Sequence, residues 1–119
     1  MASNFVKESL PYMVVLFETL EDKELRKRLL LQKPEIIPAL SELVLNLIQE
    51  NVDLSQKDRR KLKRYKKELI HLVQKGQHKQ KYRLLSGQKG AGLLGTVLSI
   101  GLPILSSLLF SRKRDGSNN

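Results

Sequence analysis

The sequence predicts an all-α fold: a small three- or four-helix domain, then a basic linker and a C-terminal apolar helix. Three observations carry that expectation. Apolar residues recur at helical spacing over most of the chain. No stretch alternates apolar and polar residues with period 2, and no hairpin dipeptide joins two apolar runs. Helix-start residues stand where periodic stretches begin, Pro34 before one and Ser55 before another. The expected divisions are a helical domain at 1–74 with a basic helix at 56–74, a basic linker at 75–89, an apolar glycine-bearing helix at 90–111, and a basic, disordered tail at 112–119.

From about Phe5 to Gln32 the chain reads as two helical pieces. Pro11 is placed to start one at Tyr12, with Met13, Leu16, Phe17 and Leu20 following at helical spacing. Acids at Glu18, Glu21, Asp22 and Glu24 precede bases at Lys23, Arg26, Lys27 and Arg28, an order that suits the macrodipole of a helix from about Glu21 to Gln32.

The next helix is the clearest. Pro34 takes a first-turn position, and Pro38 moves the expected start to about Ile37. Ile36, Ile37, Leu40, Leu43, Val44, Leu47 and Ile48 fall within about 140° of the helical wheel, with Leu45 as the exception.

Asn51 to Leu54 reads as a turn, and Ser55 as an N-cap with Asp58 three residues on, in the manner of a capping box. The basic helix that follows has a narrow apolar stripe of Leu62, Tyr65, Leu69, Leu72 and Val73, about 100° wide. The rest of its surface is cationic.

Charge is sharply partitioned. Residues 57–83 hold twelve Lys or Arg against two acids, a balance of +10 that equals the net charge of the whole chain. A merely solvated helix mixes both signs for i,i+4 pairing. Eight like charges in three turns repel one another, and a polyanion relieves that repulsion. The residues expected to contact phosphate are Lys57, Arg59, Arg60, Lys61, Lys63, Arg64, Lys66 and Lys67 on the helix, and Lys75, Lys79, Lys81 and Arg83 on the linker. Such contacts position a duplex without reading its sequence. An anionic membrane surface would satisfy the same cations.

Residues 90–111 carry no charge over 22 positions. As a helix they span about 33 Å, enough to cross a hydrocarbon core. Gly92, Gly95, Thr96, Ser99, Pro103, Ser106 and Ser107 form a small-residue seam. The broad apolar face, expected to pack against a membrane or a protein partner, includes Leu93, Leu94, Val97, Leu98, Ile100, Ile104, Leu105, Leu108 and Leu109. Lys89 and Arg112-Lys113-Arg114 flank the segment. If it stays out of the core, roughly 80 residues must fold alone, which favours an oligomer or a place in a larger assembly.

The chain has no Cys, so disulfides, thiolate metal sites and cysteine nucleophiles are excluded, and an intracellular or intravirion setting is expected. No signal peptide is read at the N-terminus, and Ala2 does not fit N-myristoylation. There is no Gly-rich phosphate loop, no HExxH and no nucleophile elbow. His71 and His78 stand among cations with no carboxylate or Cys arranged to complete a metal site. No catalytic residue, metal or cofactor is expected, and the chain does not read as an enzyme.

The run Asn51-Val52-Asp53-Leu54-Ser55, Lys61-Leu62-Lys63-Arg64-Tyr65-Lys66 and Leu69-Ile70-His71-Leu72, followed by Tyr82-Arg83-Leu84-Leu85, Gln88-Lys89-Gly90 and an apolar Leu/Gly/Pro tail, resembles small basic virion proteins of Polinton (Maverick) elements and adintoviruses. The tail design is similar to adenovirus core protein X. Asp53 stands where that pattern has Pro, and Gly90-Ala91-Gly92 replaces its Gly-Gly-Phe-like junction. The resemblance implies a minor virion core or inner-capsid protein that contacts packaged double-stranded DNA and capsid proteins, located in the virion and, during assembly, in the host nucleus. The apolar tail would then engage capsid or membrane during entry. The competing expectations are a membrane-active or membrane-anchored viral protein whose basic region binds anionic lipid, and a helical regulator that binds a defined DNA sequence.

Overall fold

A computed structural model describes the backbone of residues 4–49 and 53–118 and the side chains of residues 6–49 and 53–106. These residues form seven helices and no strand: α1 (Asn4–Glu18), α2 (Lys23–Gln32), α3 (Ile36–Ile48), α4 (Gln56–Lys63), α5 (Lys66–Val73), α6 (His78–Ser86) and α7 (Gly90–Asn118). The all-α class agrees with the sequence. Several elements are arranged differently from expectation, each for a physical reason.

Pro11 lies inside α1 and does not start it. Val6 and Ser9 are buried on the same stripe as Met13 and Leu16, at spacings of three and four, so packing carries the helix back through the proline. At its end the Thr19 hydroxyl donates to the Val15 carbonyl at 3.1 Å and to that of Leu16 at 3.2 Å. α2 starts as the acids suggested, with the Asp22 carboxylate accepting from the Leu25 N–H at 3.1 Å. The Lys33 ammonium then sits 4.8 Å from the centre of the Tyr12 ring, joining the end of α2 to α1.

α3 begins at Ile36, one residue before the expected start, because Pro38 falls in the first turn, where a missing N–H breaks no helical bond. Its inward face is Ile36, Ile37, Ala39, Leu40, Leu43, Val44 and Leu47; Leu45 and Ile48 are exposed.

The expected helix at 56–74 is two helices. Ser55 caps α4 as read, accepting from the Asp58 N–H at 3.1 Å. The ladder then tightens, with Tyr65 N–H donating to the Leu62 carbonyl three residues back at 3.1 Å, and α5 restarts at Lys66. The break lets α4 pack on α7 while α5 packs on α3. Tyr65 comes so close to α7 that a Cβ on Gly92 would lie 2.7 Å from its hydroxyl.

Residues 78–86, expected within a linker, form α6. Leu85 is fully buried, and Tyr82 and Leu84 pack against the core. Gly76 (φ 73°) and Gln77 (φ 58°) turn the chain into α6 through two left-handed residues. The chain then bends by 95° between α6 and α7. Gly90 is sterically required there: a Cβ would stand 1.9 Å from the Leu85 carbonyl oxygen.

The largest departure concerns residues 90–111. Leu93, Leu94, Val97, Leu98, Ile100 and Leu105, read as facing a membrane or partner, are buried in the chain's own core, and Ile104 is half-buried. Leu108 and Leu109 lie outside the residues whose side chains are described. α7 packs against α1, α3, α4 and α6. Of the small-residue seam, Gly92, Ser99 and Pro103 are exposed, while Gly95, Thr96 and Ser106 are half-buried. Gly101, off the seam, accepts the Leu43 side chain so closely that a Cβ would lie 2.7 Å from its Cδ2. Burial of the six apolar side chains contributes on the order of 10 kcal/mol. That is comparable to the whole stability of a domain of this size, so in this fold α7 belongs to the core and not to an appendage.

Candidate functional site

α4 and α5 display their cations outward. Lys57, Arg59, Arg60, Lys63, Arg64, Lys66 and Lys67 are exposed and Lys61 is half-buried. On α4 and its C-cap, Lys57, Arg60, Lys61 and Arg64 follow at spacings of three and four and so form one row. The break at Arg64–Tyr65 turns the rest away from it, so the cations cover a wedge of two short helices instead of one rod.

The basic residues of the former linker separate into two kinds. Lys75, Lys79 and Arg83 are exposed. Lys81, expected to contact phosphate, is 4% exposed, and its ammonium donates to the Gln74 carbonyl at the end of α5. Desolvation by burial lowers its pKa from the usual 10.5. This lysine is withdrawn from the surface because its stem and ammonium close the α5–α6 turn.

Arg26 is the second inward cation, 2% exposed. Its Nε donates to the Leu85 carbonyl at 3.1 Å, and Nη2 to those of Gly87 at 2.8 Å and Ser86 at 3.5 Å, while Nη1 donates to Leu20. One guanidinium thus satisfies carbonyls at the end of α6 and beyond the end of α1, where helices leave acceptors open and favour positive charge. A sequence signal existed. Arg26 precedes Leu29 and Leu30 by three and four residues, on the stripe where a long cation is out of place.

Two grooves of about 300 Å³ each indent the surface. In the first, between α3, α4 and α5, Ile48, Leu54 and Ile70 make part of an apolar floor bordered by Arg59, Lys63 and Lys66. The structure therefore brings three of the expected cations to one apolar cleft, which charge patterning alone did not disclose. The second lies between α2, α3 and α6 and is lined by His78, Lys79 and Tyr82 against Leu31 and Ile37. The Tyr82 hydroxyl is buried there without a hydrogen-bond partner. Among the described residues no three His, Asp or Glu side chains gather as metal ligands.

Among the described residues no single helix is long and apolar enough to cross a membrane, whereas α6 and the 90–106 part of α7 pass that test together as a bent pair. Comparison with protein-family models, curated proteins and solved structures finds no match to this chain.

Proposed function

We propose that this protein binds double-stranded DNA without sequence preference, as a minor core or inner-capsid component of a virion. The observation that carries the reading is the exposed, unbalanced charge of α4 and α5: eight cations face outward or half outward against Asp58 and Glu68 alone. Lys75, Lys79 and Arg83 extend the cationic surface beyond α5. Contacts of this kind go to phosphate, release counterions and tolerate any duplex. Placement in a virion, with capsid proteins as partners and assembly in the host nucleus, rests on the resemblance of about residues 25–110 to Polinton and adintovirus proteins.

The test is fluorescence anisotropy of the full chain with two duplexes of unrelated sequence across a salt series. The expected result is equal affinity for both and a slope of log K against log salt near −7, the value for about eight phosphate contacts. A clear preference for one duplex would replace this reading with a sequence-specific regulator, and a slope near zero would remove the DNA interface altogether.

The bent α6–α7 pair favours a second reading, a membrane-active protein whose cations bind anionic lipid. Dye release by the full chain from anionic but not neutral vesicles, with no shift of duplex DNA, would establish it in place of the first.

A further inference from the structure

The groove between α3, α4 and α5 joins two chemistries that a duplex does not use together. Ile48 and Ile70, 42% and 44% exposed, and the half-buried Leu54 give it an apolar floor. Arg59, Lys63 and Lys66 stand along its edge. Phosphates would pair with the lysines and leave the floor in water. Helical spacing sets both walls: Arg59 and Lys63 lie four apart on α4, and Lys66 and Ile70 lie four apart on α5. Among the described residues no acid lines the groove, and the ammonium groups of Lys63 and Lys66 have no hydrogen-bond or ion-pair partner.

An apolar floor with an unbalanced cationic edge suits an occupant with an apolar body and an anionic end. Size separates the candidates. A protein partner needs about 800 Å² of surface on each side, which a cleft of about 300 Å³ does not supply by itself. Small-molecule sites start at about that volume and run to about 1,000 Å³. The groove has room for about ten groups the size of a water molecule, and a methylene is of that size.

We infer that the α3–α4–α5 groove binds a free medium-chain fatty acid. The acyl chain lies on Ile48, Leu54 and Ile70, and the carboxylate meets Lys63 and Lys66. A carboxylate has two acceptor oxygens, so a single head serves both ammonium groups. A neutral chain would leave the lysines unmatched, and acetate would leave the floor wet. The inference does not rest on DNA binding and is tested without DNA.

The experiment is an NMR titration of the full chain with fatty acids at neutral pH and about 0.15 M salt, following backbone amides. Decanoate should saturate a single site, with shifts centred on Ile48, Leu54, Lys63 and Ile70. Each methylene laid on the floor contributes up to about fourfold in affinity. Decanoate should therefore bind about tenfold tighter than octanoate, whereas tetradecanoate should gain less than about twofold over dodecanoate because the floor is filled. Ile48→Ser with Ile70→Ser should weaken decanoate about tenfold. Both positions are exposed, so the fold tolerates the change, and circular dichroism verifies this. Lys63→Gln with Lys66→Gln should weaken decanoate about fivefold and leave decanol binding unchanged.

A titration that does not saturate overturns the inference, as do shifts centred on the groove between α2, α3 and α6. Decanoate binding that the isoleucine variant leaves intact overturns it too. Affinity that climbs by the same step through tetradecanoate also does so, since that marks adsorption to any apolar surface. Anionic phospholipid vesicles that perturb these amides where monomeric decanoate does not would assign the groove to a bilayer surface and end the fatty-acid reading.

Discussion

Lys63 and Lys66 on the α4–α5 wedge, and Arg26 beside α6 with Lys81 within it, are the same kinds of residue in opposite settings. The first pair is exposed and borders an apolar groove. The second pair is 2% and 4% exposed, and its partners are carbonyls at helix ends. Outward cations repel one another and gain from an external polyanion; inward cations are neutralised by fixed backbone dipoles and act within the fold. Charge density by itself therefore does not tell an outward cation from an inward one. Each cation's nearest acceptor does.

The sharpest way to break that comparison is to remove an inward cation. Arg26→Met should destabilise the protein by about 3 kcal/mol or more, because buried carbonyls lose a charged donor, and urea unfolding should show it. Arg26→Lys should restore only part of the loss, since one ammonium cannot span the carbonyls of Leu20 and Gly87. If Arg26→Met left the midpoint unchanged, the inward class would have no structural meaning. Next comes the corner that Arg26 holds. Gly90→Ala forces a Cβ to within 1.9 Å of the Leu85 carbonyl, so the bend must shift at a cost of about 2 kcal/mol or more, read in the same unfolding experiment.

Outward cations should behave in the reverse manner. Lys63→Gln with Lys66→Gln should lower the salt slope of DNA binding by about 2 and change stability by no more than about 0.5 kcal/mol. Lys81→Met should leave that slope unaltered, and a drop of a full unit would move Lys81 back among the phosphate contacts. Its smaller signature is in pH. Burial holds the folded-state pKa of Lys81 below 10.5, so between that lowered value and 10.5 the unfolded chain binds more protons and stability rises with pH. Below the lowered value the destabilisation is constant. Urea midpoints on either side of that window should show the rise in the wild type and not in Lys81→Met.

The comparison also explains what was legible from residues alone. Repeating local patterns were readable: the apolar face of α3, the Ser55 cap and the cationic surface of α4 and α5. The break at Arg64–Tyr65 was not, since no glycine or proline marks it, and the Gly92 that Tyr65 approaches there lies far along the chain. α6 resembled a linker because its first residues are polar and basic, while Tyr82, Leu84 and Leu85 carry its docking. The apolar stretch of α7 was ambiguous in principle: a core helix and a membrane-facing helix share length and hydropathy, and only the neighbours α1, α3, α4 and α6 decide between them. The groove was hidden for the same reason, since Ile48 and Ile70 come from separate helices.

Arg26 also constrains the order in which the protein is made. Its acceptors at Leu85, Ser86 and Gly87 lie 59 to 61 residues further along the chain. Until residues 85–87 have been made, the guanidinium has none of these three acceptors. α1 to α3 can collapse early, but the finished arrangement must wait for the residues around Gly90. The junction of α6 with the end of α1 is therefore fixed only once residues 85–87 join the Leu20 carbonyl on one guanidinium.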